Sequence, residues 1–331
     1  MVVMLAGLVC LFSGAPRLAK NEQAIEVPGF ADRPYILHTP IGLDTKKPTP
    51  VILVLHGGGG DALGMLTITC PDKNRSDPAC IQNAADAEGF VTVFPSGTKI
   101  MHMNRHRAFN AGGGADGFDC IGASACEQGV DDIAYFKALL DDLAKKINVD
   151  TRRVFSTGLS NGGAMSHRLA CELADRIAAI APVGGANQFA TAAVCAPSKQ
   201  VPVLDIHGTG DPCWPFAGGP FDCLGNQKQN LVGVPATIVG SAAKPGWSTL
   251  YGCDPTPVIQ TLPNSVADGT ETFHEVYSHC KADVEVLRIE GGGHTWPGGD
   301  QYMKAKRIGP VSRDFNASTV IVDFFKRHPG R

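Results

Sequence analysis

A continuous run of apolar and β-branched residues that stops at a cluster of glycines is the feature that most restricts how this chain can fold. The run covers residues 50–56 (PVILVLH) and is followed by glycines at 57–60. A strand that is apolar on both faces has to be covered on both faces, which is typical of a parallel sheet between two layers of helices. Comparable runs lie at residues 90–94, 153–156, 177–182, 201–206 and 284–289. The chain is therefore predicted to contain several buried parallel strands.

Helical patterns lie between several of these strands. Residues 131–146 repeat apolar side chains at three- and four-residue spacing and run from acidic to basic, which suits the helix dipole. Residues 165–173 and 318–326 follow the same pattern, the latter with Asn316 near its cap. Strands that alternate with helices predict an α/β fold, a doubly wound and mostly parallel sheet with helices on both faces. We expect one such domain over residues 20–331.

Two stretches show neither the strand pattern nor the helix pattern. Residues 98–129 and 211–248 are rich in Gly, Pro and Cys and show no periodicity. They are predicted to be surface loops fastened by disulfides. Loops at the carboxyl ends of parallel strands are where such folds build their sites.

The charge of the chain restricts its partners. Lys and Arg number 29 against 32 Asp and Glu, a formal net charge of -3. This balance gives no basic surface for nucleic acid and no polybasic patch for a membrane. The expected partner is a small molecule or a neutral polymer.

The amino terminus indicates export. Residues 1–12 form an apolar run of signal-peptide length, followed by the small residues 13–15 (SGA). A transmembrane helix needs about 20 apolar residues, so stable membrane insertion is not expected. Residues 1–19 are therefore predicted to be a signal peptide of a secreted protein, with a misassigned start codon or a buried segment as the alternatives.

The cysteines point to the same compartment. Apart from Cys10 in the leader, ten cysteines follow one another as near neighbours, without the C-x-x-C pairs that zinc sites use. In an oxidising compartment they are expected to pair sequentially, although the sequence leaves other connectivities open. The predicted bridges are Cys70–Cys80, Cys120–Cys126, Cys171–Cys195, Cys213–Cys223 and Cys253–Cys280.

Residues 158–162 (GLSNG) match the pattern G-x-S-x-G. An apolar strand precedes the pattern and a helical stretch follows it, as in the sharp strand–turn–helix that exposes a nucleophilic serine. Small flanking residues fit such a strained turn. Ser160 is the predicted nucleophile, and an ordinary glycine turn is the other interpretation.

A serine hydroxyl needs a base, and the base needs an orienting carboxylate. His294 follows the last apolar strand within residues 290–297 (EGGGHTWP), on a loop that can bring an imidazole over the sheet. His56 and His207 each precede a glycine at a strand end, where hydrogen bonding within a turn is the simpler interpretation. His294 is therefore the predicted base.

The predicted carboxylate is Asp211, one short loop after the strand at residues 201–206. Asp205 is a rival inside that strand, and Asp254 and Asp268 are outside candidates. With Asp211 as the acid, the nucleophile, acid and base follow one another in the chain order of α/β-hydrolases.

Acyl transfer also needs donors for the oxyanion of its tetrahedral intermediate. Residues 56–60 (HGGGG) follow a strand, and Gly58 is assigned as a donor, with Gly59 as a further contact to substrate. The second donor is the backbone N–H of Asn161, directly after the predicted nucleophile. No Lys-Ser/Thr pair follows the glycines, so a phosphate cradle is disfavoured.

Two tryptophans lie close in sequence to the predicted acid and base. Trp214 and Trp296 are predicted to line the substrate site, with packing under a loop as the alternative. The acidic residues Asp116, Asp119 and Glu127 suit either a calcium ion or a solvated loop, and the loop is favoured. No metal site and no cofactor are predicted.

Taken together, several motifs resemble the secreted bacterial polyhydroxybutyrate depolymerase and feruloyl esterase family, often called LpqC-like and similar to carbohydrate esterases of family 1. The motifs are residues 55–59 (LHGGG), 84–91 (AADAEGFV), 130–133 (VDDI), 158–163 (GLSNGG), 207–211 (HGTGD) and 292–298 (GGHTWPG). The resemblance implies an α/β-hydrolase without metal or organic cofactor, whose triad falls on Ser160, Asp211 and His294. The chain departs from the family at Gly58, where members often have Cys, and at Phe109, where many have Trp.

The leading functional hypothesis is therefore hydrolysis of hydroxyalkanoate polyesters or oligomers through an acyl-enzyme. A feruloyl or acetylxylan esterase acting on plant cell-wall polysaccharide is the alternative. An acyltransferase and a non-catalytic binding protein are the lesser alternatives.

Overall fold

The computed structural model describes residues 18–44, 46–100, 106–122, 124–221 and 229–330. Of the predicted signal peptide, only Leu18 and Ala19 lie within these ranges. The strands are β1 (Glu22–Val27), β2 (Phe30–His38), β3 (Thr49–Leu55), β4 (Val91–Pro95), β5 (Thr98–Lys99), β6 (Arg107–Ala108), β7 (Val149–Leu159), β8 (Ala179–Val183), β9 (Val203–Gly208), β10 (Gly219–Phe221), β11 (Gln229–Leu231), β12 (Val258–Thr261), β13 (Glu271–Tyr277) and β14 (Val284–Glu290).

The longest helices correspond to the predicted ones. The helices are α1 (Ala62–Ile68), α2 (Ile81–Ala87), α3 (Ser124–Glu127), α4 (Asp132–Leu143), α5 (Asn161–Glu172), α6 (Phe189–Ala192), α7 (Val234–Ile238), α8 (Trp247–Leu250), α9 (Ala305–Ile308) and α10 (Ala317–Arg327), with a short 3-10 turn at Pro71–Lys73. Asp131 caps α4 through the Ala134 N–H, and Asn316 caps α10 through the Thr319 N–H. The predicted cap at Asn316 is confirmed.

One sheet organises the described residues, in the strand order β1-β2-β4-β3-β7-β8-β9-β14-β13-β12. The strands from β4 to β14 in that order pair in parallel, and antiparallel strands extend both edges. The mostly parallel α/β fold is confirmed. The sequence analysis missed the edge strands because they lack a continuous apolar run; β12, for example, is exposed along its whole length.

Each face of the sheet carries its own apolar core. Side chains of β3 alternate between them: Val51, Leu53 and Leu55 face one core, while Ile52 and Val54 face the other. Helices α4 and α5 cover the first face, and α1, α2 and α10 cover the second. This two-sided cover explains why the central strands are apolar throughout.

Disulfides connect loops and helix ends around the sheet. Within the described residues the bridges are Cys70–Cys80, Cys120–Cys126, Cys171–Cys195 and Cys253–Cys280, all of them predicted. The remaining prediction, Cys213–Cys223, involves a residue outside the described part of the chain. No helix in the described ranges is long and apolar enough to cross a membrane.

Candidate active site

The turn between β7 and α5 has the geometry of a nucleophile elbow. Ser160 has φ 59° and ψ -120°, a strained backbone conformation for a residue with a side chain. Its N–H donates to Val183 O at 2.8 Å. A Cβ on Gly158 or Gly162 would lie 2.6 or 2.3 Å from Leu55 O, so only glycine lets the elbow pack against the end of β3.

The predicted acid and base are in direct contact. His294 Nδ1 donates to Asp211 Oδ2 at 2.6 Å, and both side chains are buried. The other carboxylate oxygen, Oδ1, accepts the N–H groups of Cys213 at 2.7 Å and Trp214 at 2.8 Å. Because the carboxylate accepts the Nδ1 proton, a neutral His294 has its lone pair on Nε2, the form that a general base requires.

Two glycines that the sequence analysis did not single out lie between this pair and the elbow. A Cβ on Gly184, which has φ +55°, would lie 3.4 Å from His294 Nδ1 and 3.6 Å from Asp211 Oδ2. A Cβ on Gly185 would lie 2.1 Å from Ser160 O. The elbow and the acid–base pair are therefore neighbours across the end of β8. The available signal was a glycine pair directly after a buried strand.

No hydrogen bond joins Ser160 to His294. Among the described residues Ser160 Oγ has no hydrogen-bond partner, so the structure does not form this contact of the predicted triad. Catalytic hydrogen bonds are often long in ligand-free enzymes and tighten only when substrate is bound.

The glycine loop after β3 packs on the elbow. A Cβ on Gly57 would lie 3.4 Å from Ser160 Cβ, and one on Gly58 would lie 3.7 Å from Asn161 Cβ. Among the described residues, neither the Gly58 nor the Asn161 N–H has an acceptor, and the latter opens α5, where a helix leaves its first N–H groups unpaired. The Gly59 N–H donates to Arg107 O at 2.8 Å, so this N–H already has an acceptor within the protein.

His56 fastens this glycine loop from inside the protein. Its Nδ1 donates to Gly57 O at 2.8 Å, and its Nε2 accepts the Gly97 N–H at 3.0 Å. Burial lowers the pKa of His56 from 6.5 to about 4, so the ring stays neutral near pH 7. The interpretation of His56 as a turn residue agrees with these bonds.

This pKa predicts a pH-dependent stability. The unfolded state takes up the His56 proton at pH 6.5 but the folded state only near pH 4, so the stabilisation is complete above pH 6.5 and is lost as the pH falls. Glu22, whose pKa is lowered to about 2 by hydrogen bonds from His38 and Arg75 that outweigh its burial, loses its contribution only below pH 4.5.

We therefore expect the free energy of unfolding of the wild type, relative to His56→Asn, to fall by about 2 kcal/mol between pH 6.5 and pH 4.5. Urea unfolding of both proteins at the two pH values measures this difference. An equal pH dependence in the two proteins would contradict a buried neutral His56.

The side chain of Asn161 has a role that the sequence did not reveal. Its Oδ1 accepts the Phe109 N–H at 2.8 Å and its Nδ2 donates to Phe109 O at 2.9 Å. The Phe109 ring is buried beside His56, with ring centroids 4.7 Å apart. Asn161 thus joins the loop after β6 to the elbow.

The family profile described as phospholipase/carboxylesterase (Abhydrolase_2) matches residues 38–220, more than half of the chain. The chain belongs to this family. The matched span includes the glycine loop, the elbow and Asp211, and it ends before His294. Members are carboxylesterase-type hydrolases by the description of the family.

Relatives of this carboxylesterase-type chain are named as esterases. It is 29% identical over 307 residues to "Putative esterase NocK" of Nocardia uniformis subsp. tsuyamanensis, covering 88% of this chain and 78% of that protein. It is 31% identical to feruloyl esterase B of Piromyces equi, covering 79% of this chain but only 42% of that longer protein. Acetyl xylan esterase from Aspergillus awamori has the same fold, with a TM-score of 0.51 at 14% identity over 80% of this chain and 89% of that one.

The two predicted substrate-binding tryptophans are in the core. Trp214 and Trp296 are at most 2% exposed. Their indole N–H groups donate to Val232 O at 2.8 Å and to Ser318 Oγ at 3.0 Å. This corrects the expectation of two aromatic faces turned to substrate: Trp214 instead supports Asp211 through its backbone N–H, and Trp296 packs under the sheet.

The rival carboxylates do not contact the predicted base. Asp205 is fully buried within β9. Asp254 pairs with exposed His279, and Asp268 accepts the backbone N–H groups of Thr270 and Arg313. Asp211 is therefore the carboxylate that the structure brings to His294.

No group of side chains described here fits a metal ion. The three whose potential ligand atoms all lie within 4.8 Å of one another are Asp211, Cys213 and His294, but Cys213 is disulfide-bonded and lacks the thiolate that zinc binds. Asp116 pairs with Lys244, and Asp119 accepts the Asn230 N–H, so these acids have separate partners.

Proposed function

We propose that this carboxylesterase-type hydrolase is a secreted serine esterase that cleaves hydroxycinnamoyl or acetyl esters of plant cell-wall polysaccharide. The observation that carries the proposal is the Asp211 carboxylate, whose Oδ1 is fixed by two backbone N–H groups while Oδ2 accepts the His294 proton. This arrangement fixes the tautomer of His294 beside an elbow that exposes Ser160. Residues 1–19 serve as the signal peptide, and the disulfides support an oxidising compartment.

In the proposed reaction, His294 Nε2 takes the proton of Ser160 Oγ as Oγ attacks the ester carbonyl carbon. The oxyanion accepts the N–H groups of Gly58 and Asn161, and Asp211 stabilises the imidazolium. His294 then gives its proton to the departing alcohol, which leaves the acyl group on Ser160. Water, deprotonated by His294, cleaves this acyl-enzyme and releases the acid.

The choice of substrate rests on the relatives. Feruloyl esterase B and acetyl xylan esterase are named for esters of this class. Polyester hydrolysis, the leading hypothesis from the sequence, rests on motif resemblance alone, and the buried tryptophans remove the aromatic surface that was expected to bind a flat polyester chain. The cell-wall ester is therefore the better-supported proposal.

Initial rates on methyl ferulate, acetylated xylan and amorphous polyhydroxybutyrate test the substrate class. We expect the initial rate on methyl ferulate or acetylated xylan to exceed that on amorphous polyhydroxybutyrate by about 10-fold or more. Faster cleavage of the polyester would return the assignment to a depolymerase. More transfer product than acid in the presence of a carbohydrate alcohol would indicate an acyltransferase.

Covalent labelling tests the serine mechanism separately. A fluorophosphonate probe is expected to label the protein once, and peptide mapping is expected to locate the label on Ser160. A protein that resists the probe and shows no esterase activity would be a binding protein on a hydrolase fold.

A further inference from the structure

Behind Asp211, the protein contains three ionisable side chains that the proposed reaction does not use. His207 and Asp205 lie on β9, and His167 lies on α5. All three side chains are fully buried, and they form a line from Asp211 to Trp247. Buried ionisable groups are costly unless they are paired, so this line calls for a physical explanation.

The far end of the line fixes one tautomer. The Trp247 Nε1–H donates to His167 Nδ1 at 3.0 Å. An indole nitrogen is only a donor, so His167 Nδ1 has a lone pair and the proton of a neutral His167 lies on Nε2. That Nε2 faces Asp205 Oδ2 at 3.4 Å.

The near end fixes another tautomer and reaches the predicted acid. His207 Nε2 lies 2.7 Å from Trp214 O, and because a carbonyl oxygen only accepts, Nε2 carries a proton. The same Nε2 is 3.5 Å from Asp211 Oδ2. Since the Trp214 N–H donates to Asp211 Oδ1, the three residues form a closed ring of contacts around the carboxylate.

Between the two ends, His207 Nδ1 faces Asp205 Oδ1 at 4.0 Å. Both atoms are buried, and neither has a hydrogen-bond partner among the described residues, because 4.0 Å is too long for a hydrogen bond. The contact between Asp205 and His207 is therefore one of packing and charge in a dry interior, without a hydrogen bond.

We propose that His207 is a positioning residue for Asp211, and that the buried Asp205 keeps His207 in place by packing against its Nδ1 edge. The His207 Nε2–H holds Trp214 O, and the Trp214 N–H in turn donates to Asp211 Oδ1. His167, bonded to Trp247, lies on the other side of Asp205. The inference rests on the proposed function, because its effect on the reaction passes through Asp211 and His294.

Three substitutions separate this role from plain packing. His207→Phe keeps the ring but removes the N–H, and we expect kcat to fall about 10- to 100-fold with KM within about twofold, the effect of losing a group that orients a functional residue. His207→Gln restores an N–H at the position of Nε2 and is expected to recover part of kcat. Asp205→Asn keeps the shape that packs between His167 and His207, so its kcat is expected to stay within about fivefold of wild type.

The matched control is His38→Gln. His38 is another buried imidazole, bonded to Glu22 and Asp86, on a strand that four others separate from β9. We expect it to lose stability without a change in kcat. Rates are taken per competent site, counted by the burst of p-nitrophenol, so that unfolded protein does not enter the comparison.

A spectroscopic readout decides the proposal if His207→Phe does not fold. The downfield proton resonance of His294 Nδ1–H is expected to shift in His207→Gln and to stay in place in His38→Gln. An unshifted resonance in His207→Gln, or a loss of kcat in Asp205→Asn above about fivefold, would overturn the proposal. If the wild type shows neither burst nor labelling, the proposed function fails instead; if it shows both and the His207 variants behave like the control, only this inference fails.

Discussion

Replacing Ser160 with alanine is expected to lower kcat on p-nitrophenyl butyrate by about a millionfold, as removal of a serine nucleophile does elsewhere. The variant has no atom that can form the acyl-enzyme, so only the oxyanion donors and substrate binding remain. The fold is expected to be unchanged, because Ser160 Oγ makes no hydrogen bond with the described residues. The free energy of unfolding is therefore expected to change by less than about 0.5 kcal/mol. Steady-state kinetics measure kcat, circular dichroism measures the fold, and urea unfolding measures the free energy of unfolding.

Ser156→Ala, on β7 just before the elbow, is the matched control. Ser156 Oγ is buried and lies 2.8 Å from Ser166 Oγ, so its loss is expected to cost about 1 kcal/mol of stability. Ser156 makes no hydrogen bond with Ser160 Oγ or His294, so kcat is expected to stay at the wild-type value. Activity of Ser160→Ala above about one per cent of wild type would contradict the assignment of the nucleophile.

Replacing Asp211 with asparagine is expected to lower kcat about ten-thousandfold, the effect of a wrong histidine tautomer in other triads. Two backbone donors, the N–H groups of Cys213 and Trp214, point at Oδ1 and force the amide oxygen into that position. The amide nitrogen then faces His294 Nδ1 and donates to it. His294 is left with its proton on Nε2, where it cannot accept one from Ser160.

Asp254→Asn is the control for this change. Asp254 also pairs with a histidine, since His279 Nδ1 lies 2.7 Å from its carboxylate, but that pair is on the surface. We expect no change in kcat or KM. If Asp211 orients His294, the KM of Asp211→Asn is expected to be unchanged. A rise in KM with kcat unchanged would show that Asp211 serves substrate binding and not the base.

The central strands and the elbow could be predicted because their determinants are local. The buried strand β3 needs apolar residues on both faces, and the elbow needs glycines where a Cβ would meet Leu55 O at under 3 Å. The position of His294 followed from a glycine loop after the last strand. Helix α5 begins at Asn161, before the predicted start. The prediction missed this first turn because the glycines in it carry no apolar periodicity.

Other features depend on what lies opposite a residue in space. Trp214 and Trp296 are near the predicted acid and base in sequence, yet their rings turn into the core because each indole N–H finds an internal acceptor. His207 and Asp205 lie on the same strand, and nothing in the sequence around them is unusual. Only the packing of α5 against that strand brings His167 to them. Short sequence distance therefore did not give side-chain direction.

By itself, the amino-acid sequence determined the α/β class, the glycine-flanked Ser160, the order of Asp211 and His294, and sequential disulfides, because periodicity, turn chemistry and short separations act along the chain. Only the tertiary structure decided that Asp211 and not Asp205 contacts His294, and that Gly184 and Gly185 lie between this pair and the elbow. It also decided that His207, Asp205 and His167 lie buried behind Asp211. Those contacts join residues far apart in the chain, and their geometry is set by the packing of β8, β9 and α5. Their physical basis is burial, which makes an unpaired polar atom costly and so selects the partners that fold against it.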